Sequence, residues 1–456
     1  MNSDKSLARG LLASAATSAT SHSAEPESFL ARRTAAESYE VAPVPLDELP
    51  GWELSDRLVH ASGRFFTVEG LSIQTNFGSA TKWHQPIIVQ PEIGILGILA
   101  KQIDGIYHFL MQSKMEPGNS NFVQLAATVQ ATPSNYQRVH GGRPTPYLEY
   151  FLNHAKRQVL VDRLLSEHAS WYLRKRNRNM IVEVPPEEEI PLREDYAWFT
   201  LWQIRQQLTR GHRVNMNART VLSCISYTEP VRRAGETGFE FAAIQSHGLR
   251  RSEREVAEVM TWLIDQKAAY YLDARRTSLR NLDEWVCDSA GIRHRDARYF
   301  QIKGFSISAT SREVGTWSQP MLEPVPGNVV AFICQRRSGV LEFLVQAIVQ
   351  PGAIDTIELA ATIQLAPGSL RDSECIPLVE YLDSPEAWIR LDAMQSEDGG
   401  RFYKADTRHV VIEVPEGDPV EAPANYRWVS LGLLNRLMSA GYYLNVEARS
   451  LLSCLL

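Results

Sequence analysis

Residues 105–133 read GIYHFLMQSKMEPGNSNFVQLAATVQATP, a stretch that combines alternating apolar and polar side chains with a tight Pro-Gly turn. Side chains along a β-strand point alternately to opposite faces of the sheet. Ile106–Glu116 therefore places most of its polar residues on one face and its apolar residues on the other. The polar face carries His108, Gln112, Lys114 and Glu116. The stretch predicts two strands around the turn at Pro117-Gly118, with the polar face as the floor of a pocket.

The same pattern returns at residues 339–367, which read GVLEFLVQAIVQPGAIDTIELAATIQLAP, so the chain contains an internal duplication. The amides are kept, as Gln112 and Gln130 in the first copy and as Gln346 and Gln364 in the second. Most of the ionisable side chains are not kept, because Lys114 and Glu116 are replaced by Ile348 and Gln350, while His108 is replaced by Glu342. The first copy therefore holds proton-handling groups that the second has lost.

A chain of 456 residues exceeds what one hydrophobic core usually supports, so two domains are expected. In each copy a run of strands precedes the helices, and this order predicts an α+β fold of two tandem duplicated domains. The predicted boundaries are a disordered N-terminal tail with an extended lead-in over 1–40, a first repeat over 41–225, a helical linker over 226–272 and a second repeat over 273–456. Helical spacing also predicts helices over Ser252–Tyr271 and Leu152–Leu173.

Charge and composition argue against several classes of function. The net charge of −6 and the isoelectric point near 6.0 give no basic field, which argues against nucleic acid as a partner. No apolar run approaches the roughly 18 residues that a membrane span needs. The five cysteines are scattered without a C-x-x-C pair, so neither a disulfide framework nor a zinc site is expected. The cytoplasm is the predicted compartment.

No cofactor and no metal are predicted, since the sequence has no G-x-G-x-x-G turn, P-loop, G-x-S-x-G elbow or metal-binding histidine run. Arg254-Glu255-Val256-Ala257-Glu258 resembles part of the R-E-x-x-E-E core of Nudix pyrophosphatases, whose helix carboxylates bind magnesium. Val259 stands in place of the last Glu, however, and the upstream Gly-x5-Glu segment is missing. These residues favour a solvated helix face, and the chemistry that remains is proton transfer.

Four side chains are the first candidates for proton transfer. His84 and His108 are candidates because an imidazole titrates near neutral pH. The alternative for each is a buried histidine whose hydrogen bonds a neighbour satisfies. Lys114 and Glu116 lie two residues apart on one face, where they form either an acid and base pair or a surface ion pair that contributes little energy.

The candidates for substrate binding are aromatic, amide and basic side chains. Two Trp-x-Gln-Pro elements place Trp83, Gln85, Trp317 and Gln319 near a strand edge, where the tryptophans either stack on a base or sugar or fill the core. The amides of Gln112, Gln130, Gln346 and Gln364 suit a sugar or a pyrimidine, or belong to polar ladders between strands. Arg138 and Arg143 either meet phosphate oxygens or face water. The remaining candidates are Asn119, Tyr147 and Glu149.

Three segments carry a resemblance to a known family. MQSKMEPGNSNFVQLAATVQATPSNY with RVHGG (Met111–Gly142), SGRFFTVEGL (Ser62–Leu71) and WHQP (Trp83–Pro86) resemble the NDP-hexose 2,3-dehydratases of deoxysugar biosynthesis. The resemblance extends from about Phe29 to the C-terminus. It implies a homodimer whose subunit holds two Nudix-like halves without the Nudix catalytic box. It also implies a dTDP-4-keto-6-deoxyhexose substrate, which loses its C2 hydroxyl and C3 proton to give the 3,4-diketo-2,6-dideoxy sugar.

The second half departs from the family pattern, because Gln350-Pro351-Gly352-Ala353 stands where the first half has Glu116-Pro117-Gly118-Asn119. The first repeat is therefore expected to hold the catalytic pocket, and the second a vestigial pocket or a dimer scaffold. Residue type and face assign His108 or Glu116 as base and His84 or Tyr136 as acid, with Lys114 beside the enolate. The alternatives are a non-catalytic protein that binds sugar nucleotides and a Nudix-type diphosphate hydrolase.

Overall fold

The computed structural model describes residues 2–136, 144–226, 238–249, 252–312, 314–366, 376–384 and 387–455, without the side chains of residues 2–5, 135, 136 and 156. The elements of the first repeat are α1 (Asn2–Ala16), α2 (Pro26–Ala36), β1 (Tyr39–Val44), β2 (Trp52–Leu54), β3 (Leu58–His60), β4 (Thr67–Thr75), β5 (Lys82–Val89), β6 (Gly94–Ile103), β7 (Ile106–Met115), β8 (Val123–Ala126), β9 (Val129–Ala131), α3 (Pro133–Tyr136), α4 (Leu148–Leu152), β10 (Gln158–Ser166), β11 (Arg176–Val184), β12 (Tyr196–Phe199), α5 (Leu201–Leu208) and α6 (Met216–Leu222).

The second repeat has matching elements. They are α7 (Phe239–Gly248), α8 (Glu253–Ala269), β13 (Leu272–Thr277), β14 (Trp285–Asp288), β15 (Gly291–His294), β16 (Phe300–Ala309), β17 (Thr316–Pro324), β18 (Asn328–Arg337), β19 (Val340–Ile348), β20 (Glu358–Ala360), β21 (Ile363–Leu365), β22 (Trp388–Ser396), β23 (Asp406–Val414), β24 (Tyr426–Ser430), α9 (Leu431–Ser439) and α10 (Val446–Leu452). Short 3-10 turns lie at His154–Lys156, Leu279–Asn281, Val379–Leu382 and Ser453–Leu455.

Each repeat builds one large mixed sheet around the predicted hairpin strand. In the first, the described strands run β10-β11-β6-β7-β12, with β8 on β7 and β9 on β6. In the second, the order is β22-β23-β18-β19-β20, with β21 on β18 and β24 on β19. Each sheet contains one parallel pair, β6 with β11 and β18 with β23, among antiparallel neighbours. The chain is therefore a mixed α/β protein, mostly sheet, with a twofold repeated arrangement, as the duplication predicts.

The repeats exchange their leading strands. A smaller sheet of the first repeat runs β2-β3-β4-β13 with β5 on β4, and its counterpart runs β14-β15-β16-β1 with β17 on β16. β13 thus joins the sheet of the first repeat, whereas β1 joins that of the second. Glycines permit the close approach, since a Cβ on Gly304 would lie 2.6 Å from the carbonyl oxygen of Val44. The predicted boundaries at 41–225 and 273–456 follow the order of residues along the chain. In the structure, β1 and β13 each pair within the small sheet of the other repeat.

Helix α1, in the segment predicted as a disordered tail, packs against the first repeat. Ala8 and Leu11 of α1 are buried, and Ser14 Oγ donates to the carbonyl of Tyr107 (2.5 Å) and accepts from the Leu201 amide (2.8 Å). Ser246 on α7 makes the same pair of hydrogen bonds in the second repeat, to Leu341 and Leu431. Helix α7, which lies within the predicted linker, therefore takes the place in the second repeat that α1 has in the first.

Two predicted helices have opposite outcomes. The helix predicted over Ser252–Tyr271 is confirmed as α8, which begins with a capping box between Ser252 and Glu255. The helix predicted over Leu152–Leu173 is wrong, because Gln158–Ser166 within that segment form strand β10, paired with β11. No helix within the described ranges is long and apolar enough to cross a membrane.

One hydrophobic core joins the two repeats. A single cluster contains the matching strand residues Phe109 and Phe343 and the matching Leu125 and Leu359, all of them fully buried. Burial of apolar surface contributes about 25 cal/mol for each Å² removed from water. The halves therefore stabilise each other, and the sites lie at the junction between them.

Candidate active sites at the junction of the repeats

The first site is a cavity of about 220 Å³ that both repeats line. β5 of the first repeat contributes Trp83, His84 and Gln85, and the second repeat contributes Gln350 and Gln364. We call this cavity the Trp83 site. Its wall also includes the aromatic side chains of Trp171, Trp285, Tyr299 and Phe300.

The Trp-x-Gln-Pro element orients its tryptophan through the glutamine. Trp83 Nε1 donates to Gln85 Oε1 (2.9 Å), and Gln85 Nε2 donates to the carbonyl of Ser170 (2.9 Å). Trp317 and Gln319 repeat the arrangement at 3.3 Å, with the Gly400 carbonyl as the outer acceptor at 2.8 Å. Pro86 and Pro320 lie on β5 and β17, which pair with β4 and β16 among the described strands. On the other side of β5 and β17 there are isolated bridges, from Ile88 to Tyr172 and from Leu322 to Phe402.

The second site, which we call the Trp317 site, consists of Trp317 and Gln319 with Arg312, Arg401, Lys114, Glu116 and Gln130. Arg312 Nη1 donates to the carbonyl of Met115 (3.3 Å), and its guanidinium lies 5.8 Å from the centre of the Trp317 ring. Arg401 Nη1 donates to Gln319 Oε1 (3.4 Å). The tryptophan of the second repeat therefore lies beside the strand end that carries the ionisable residues of the first.

Glu116 is the buried carboxyl group of the Trp317 site and is 4% exposed. Its oxygens accept from Gln130 Nε2 (3.1 Å) and Asn119 Nδ2 (3.3 Å). Burial raises the pKa of Glu116, and the nearby charge of Asp398 raises it further, against the opposing charges of Lys114 and Arg312. A carboxyl group of this kind exchanges protons closer to neutral pH than an exposed one.

His108 lies away from both sites. It is fully buried, with Nε2 2.7 Å from Thr20 Oγ1 and Nδ1 3.1 Å from the carbonyl of Ile106. Burial lowers its pKa. At about 3.3 Å per residue, His108 and Glu116 are roughly 26 Å apart along the chain, so sharing a face does not mean sharing a pocket. These contacts match the alternative reading of His108 as a buried histidine whose hydrogen bonds neighbouring residues satisfy.

His84 lies in the Trp83 site, with Nε2 3.1 Å from Ser72 Oγ and Nδ1 3.0 Å from Asp283 Oδ2. Among the described residues that line this cavity, neither Lys114 nor Glu116 occurs. The predicted cluster of the first repeat is thus divided between two sites, because the Trp-x-Gln-Pro strand of each repeat faces the Pro-Gly strand of the other. The catalytic roles of these residues stay predictions.

The remaining candidates have mixed placements. Gln112 Nε2 donates to Asp195 Oδ2 (2.9 Å) and Gln346 Nε2 to the carbonyl of Ala361 (3.0 Å), contacts that match the inter-strand alternative. Tyr147 precedes α4 and donates to the carbonyl of Pro191 (2.7 Å), while Glu149 lies within that helix. Arg138, Arg143 and the side chain of Tyr136 lie outside the described residues.

Sequence reasoning missed two matching turns that form a wall of each site. One turn follows Ser166-Glu167-His168 and the other follows Ser396-Glu397-Asp398. His168 lies between two buried carboxylates, 3.0 Å from Glu397 and 3.3 Å from Glu447. Aligning the Ser-Glu pairs of the two copies would have exposed the change from His to Asp.

His168 is held as a cation. Burial by itself lowers the pKa of His168, but Glu397 and Glu447 outweigh burial and raise the pKa to about 10. Burial raises the pKa of Glu397, but His168 and Arg219 reverse this and lower the pKa to about 2. Glu447 Oε1 also accepts from Gln350 Nε2 (3.2 Å) and Gln364 Nε2 (3.1 Å). The Glu397 carboxylate, paired with His168 behind the Trp83 site, is therefore held in its ionised form.

Comparison with known proteins identifies relatives along almost the whole chain. A family model described as NDP-hexose 2,3-dehydratase matches residues 23–225 and 256–455, one segment for each repeat. A protein of Saccharopolyspora spinosa named dTDP-4-dehydro-6-deoxy-alpha-D-glucopyranose 2,3-dehydratase is 44% identical over 441 residues, which cover 94% of this chain and 90% of that one.

Two further relatives carry the same name. The protein of Amycolatopsis orientalis is 40% identical over 439 residues, covering 94% of this chain and 88% of its own. The protein of Streptomyces violaceoruber is 40% identical over 439 residues, covering 93% and 95%. On this evidence of matched repeats and full-length relatives, the chain belongs to the NDP-hexose 2,3-dehydratase family.

Proposed function

We propose that this protein is a dehydratase that removes water across C2 and C3 of a dTDP-4-keto-6-deoxyhexose, giving the 3,4-diketo-2,6-dideoxy sugar. The observation that carries the proposal is the match of both repeats to relatives that bear this activity in their names, at 40–44% identity over more than nine tenths of the chain. The expected substrate is dTDP-4-dehydro-6-deoxyglucose.

We place the reaction at the Trp317 site and assign Glu116 as the proton acceptor. The C4 ketone of the substrate makes the C3 hydrogen acidic, and a base then removes it. Burial raises the pKa of Glu116, which strengthens it as a base near neutral pH. Lys114 lies two residues away on the same face, and its ammonium group would stabilise the enolate oxygen.

The charges of the Trp317 site also suit a nucleoside diphosphate. Arg312 and Arg401 flank Trp317 and Gln319, and a guanidinium binds phosphate oxygens in a bidentate manner. The Trp317 ring offers an apolar surface for a base or sugar. At the Trp83 site the positions of Lys114 and Glu116 are held by Ile348 and Gln350, which transfer no protons, so we assign that site no chemistry.

The proposal includes finer points that the resemblance implies. We expect Nudix-like halves without a Nudix catalytic box, a homodimer, a cytoplasmic location and a reaction without an added cofactor. On α8, Arg254 is exposed and pairs with Glu258 at 2.9 Å in an i, i+4 ion pair, an arrangement typical of a solvated helix face.

The test is direct incubation with dTDP-4-dehydro-6-deoxyglucose without added metal or nicotinamide. We expect loss of one water per substrate and, in deuterium oxide, entry of deuterium at C2 of the diketo sugar. Unchanged substrate from folded protein contradicts the proposal. Tight dTDP binding without turnover would favour the sugar-nucleotide binding alternative, and magnesium-dependent release of thymidine monophosphate would favour the hydrolase.

A further inference from the structure

We propose that Asp398 of the second repeat is a positioning residue for this reaction: its carboxylate faces Glu116 across the junction of the repeats, so that one carboxyl group both takes the C3 proton and delivers it to the departing C2 hydroxyl. The inference rests on the proposed function. It adds to the Trp317 site a residue outside the repeat that supplies the base.

Backbone contacts bring the Asp398 turn against Glu116. The amide of Gly118 donates to the carbonyl of Gly399 (2.8 Å), which joins the Pro-Gly turn after Glu116 to the residue after Asp398. A Cβ on Gly399 would lie 2.2 Å from Asn119 Oδ1, so only glycine leaves room for that amide. Asn119 Nδ2 in turn donates to Glu116 Oε2 (3.3 Å). These contacts join the Asp398 turn to the Glu116 turn, and the charge of Asp398 acts on Glu116.

Asp398 is held in place by hydrogen bonds from both repeats. Tyr172 Oη donates to Asp398 Oδ2 (2.6 Å), and the amide of Gly400 donates to Oδ1 (3.1 Å). The charged groups that act on Glu116 are Asp398, Lys114, Arg312 and Arg219. Asp398 is the acidic member of that set, and it opposes ionisation of Glu116.

The matching turn of the other repeat shows that the fold does not require an aspartate at this position. Backbone amides of Trp171 and Tyr172 donate to the carbonyl of His168 at 3.0 and 2.8 Å, and Arg401 and Phe402 repeat these bonds to Asp398 at 3.0 and 2.8 Å. The two turns therefore share the same backbone hydrogen bonds, although one carries His168 and the other Asp398. Where the turn carries Asp398 it faces Glu116, and where it carries His168 the Pro-Gly strand carries Gln350.

One carboxyl group can perform the whole elimination. In a gluco-configured sugar the C3 hydrogen and the C2 hydroxyl lie on the same ring face. The Glu116 carboxylate takes the C3 proton, and the electrons of the C–H bond form the enolate with C4. Those electrons then form the C2–C3 double bond as the C2–O bond breaks, and Glu116 returns its proton to the leaving oxygen, giving water. Glu116 ends as a carboxylate, and the enol tautomerises to the diketone.

The test compares the pH dependence of kcat for the wild type, Asp398→Asn and Asp392→Asn, together with exchange of the C3 hydrogen for deuterium. Asp392 is the matched control because it pairs with Arg408 on the exposed face of β22. Removing the negative charge beside Glu116 should move the acid limb of the Asp398→Asn profile to lower pH by about one unit. The weaker base should slow C3 exchange at neutral pH about tenfold. Asp392→Asn should follow the wild type.

The outcomes separate this inference from the proposed function. A wild type without turnover or exchange overturns the function. An active wild type, with the acid limb of Asp398→Asn unmoved, overturns the role of Asp398 alone. If Asp398→Asn does not fold, as judged by circular dichroism and dTDP binding, Asp398→Ser decides, because it removes the same charge with a smaller side chain. An acid limb below that of the wild type supports the inference, and an unmoved limb overturns it.

Discussion

At the scale of single residues, Glu116 is the group whose chemistry distinguishes the two sites. Glu116→Gln gives the Trp317 site the amide that the Trp83 site already has. We expect C3 exchange and turnover to fall by about 10²- to 10⁴-fold, the usual contribution of a general base, while dTDP binding is retained. Glu323→Gln, which alters a carboxylate paired with Lys303 at 2.8 Å, is the control and should keep full activity. Equal activity in both variants would rule Glu116 out as the base.

His168 predicts a pH dependence of stability. Its folded-state pKa of about 10 lies above the ordinary 6.5, so the stabilisation is fully present below about pH 6.5 and is lost as the pH rises through 10. The free energy of unfolding in denaturant titrations should therefore decrease between about pH 7 and about pH 10. His168→Gln should flatten this slope and cost about 3–5 kcal/mol, since it leaves buried carboxylates unpaired. His154→Gln, at a surface turn, should keep the slope.

At the scale of secondary-structure elements, the Pro-Gly turns form the contacts between repeats. A Cβ on Gly118 would lie 1.7 Å from the carbonyl oxygen of Phe402, and one on Gly352 would lie 1.9 Å from that of Tyr172. Each Gly→Ala change should cost about 1–3 kcal/mol through overpacking. Only Gly118→Ala should also lower kcat beyond the effect of stability, because it displaces the strand end that carries Glu116. Equal kcat losses in both variants would contradict the assignment of the two sites.

The sequence predicted the strands better than it predicted the sites. Alternation along Ile106–Glu116 predicts β7 and its copy β19, and both strands are present in the structure. Alternation predicts the face of the strand on which a side chain lies. It does not predict which repeat supplies the opposite wall of the site. The sequence therefore groups His84 with Glu116, although β5, which carries His84, faces the Pro-Gly strand of the second repeat. The prediction of a helix over Leu152–Leu173 is wrong because a short apolar pattern does not distinguish a helix from a strand.

At the scale of the whole molecule, the shared core and exchanged strands predict one unfolding transition. Neither repeat can lose its small sheet without removing a strand from the other. We expect circular dichroism and tryptophan fluorescence to report the same midpoint in urea, and the calorimetric and van't Hoff enthalpies to agree. Two resolved transitions would show that the repeats unfold separately, and would mean that β1 and β13 do not couple them.

The exchange of β1 and β13 also bears on how two unequal sites arise. In an assembly of two identical single-repeat chains, every mutation is copied to both pockets, so a catalytic pocket cannot coexist with a silent one. Joining the halves in one gene lifts that constraint. Each pocket still draws its walls from both halves, so divergence has to proceed by coordinated changes in distant stretches of the gene, as Glu116 with Asp398 and Gln350 with His168 illustrate.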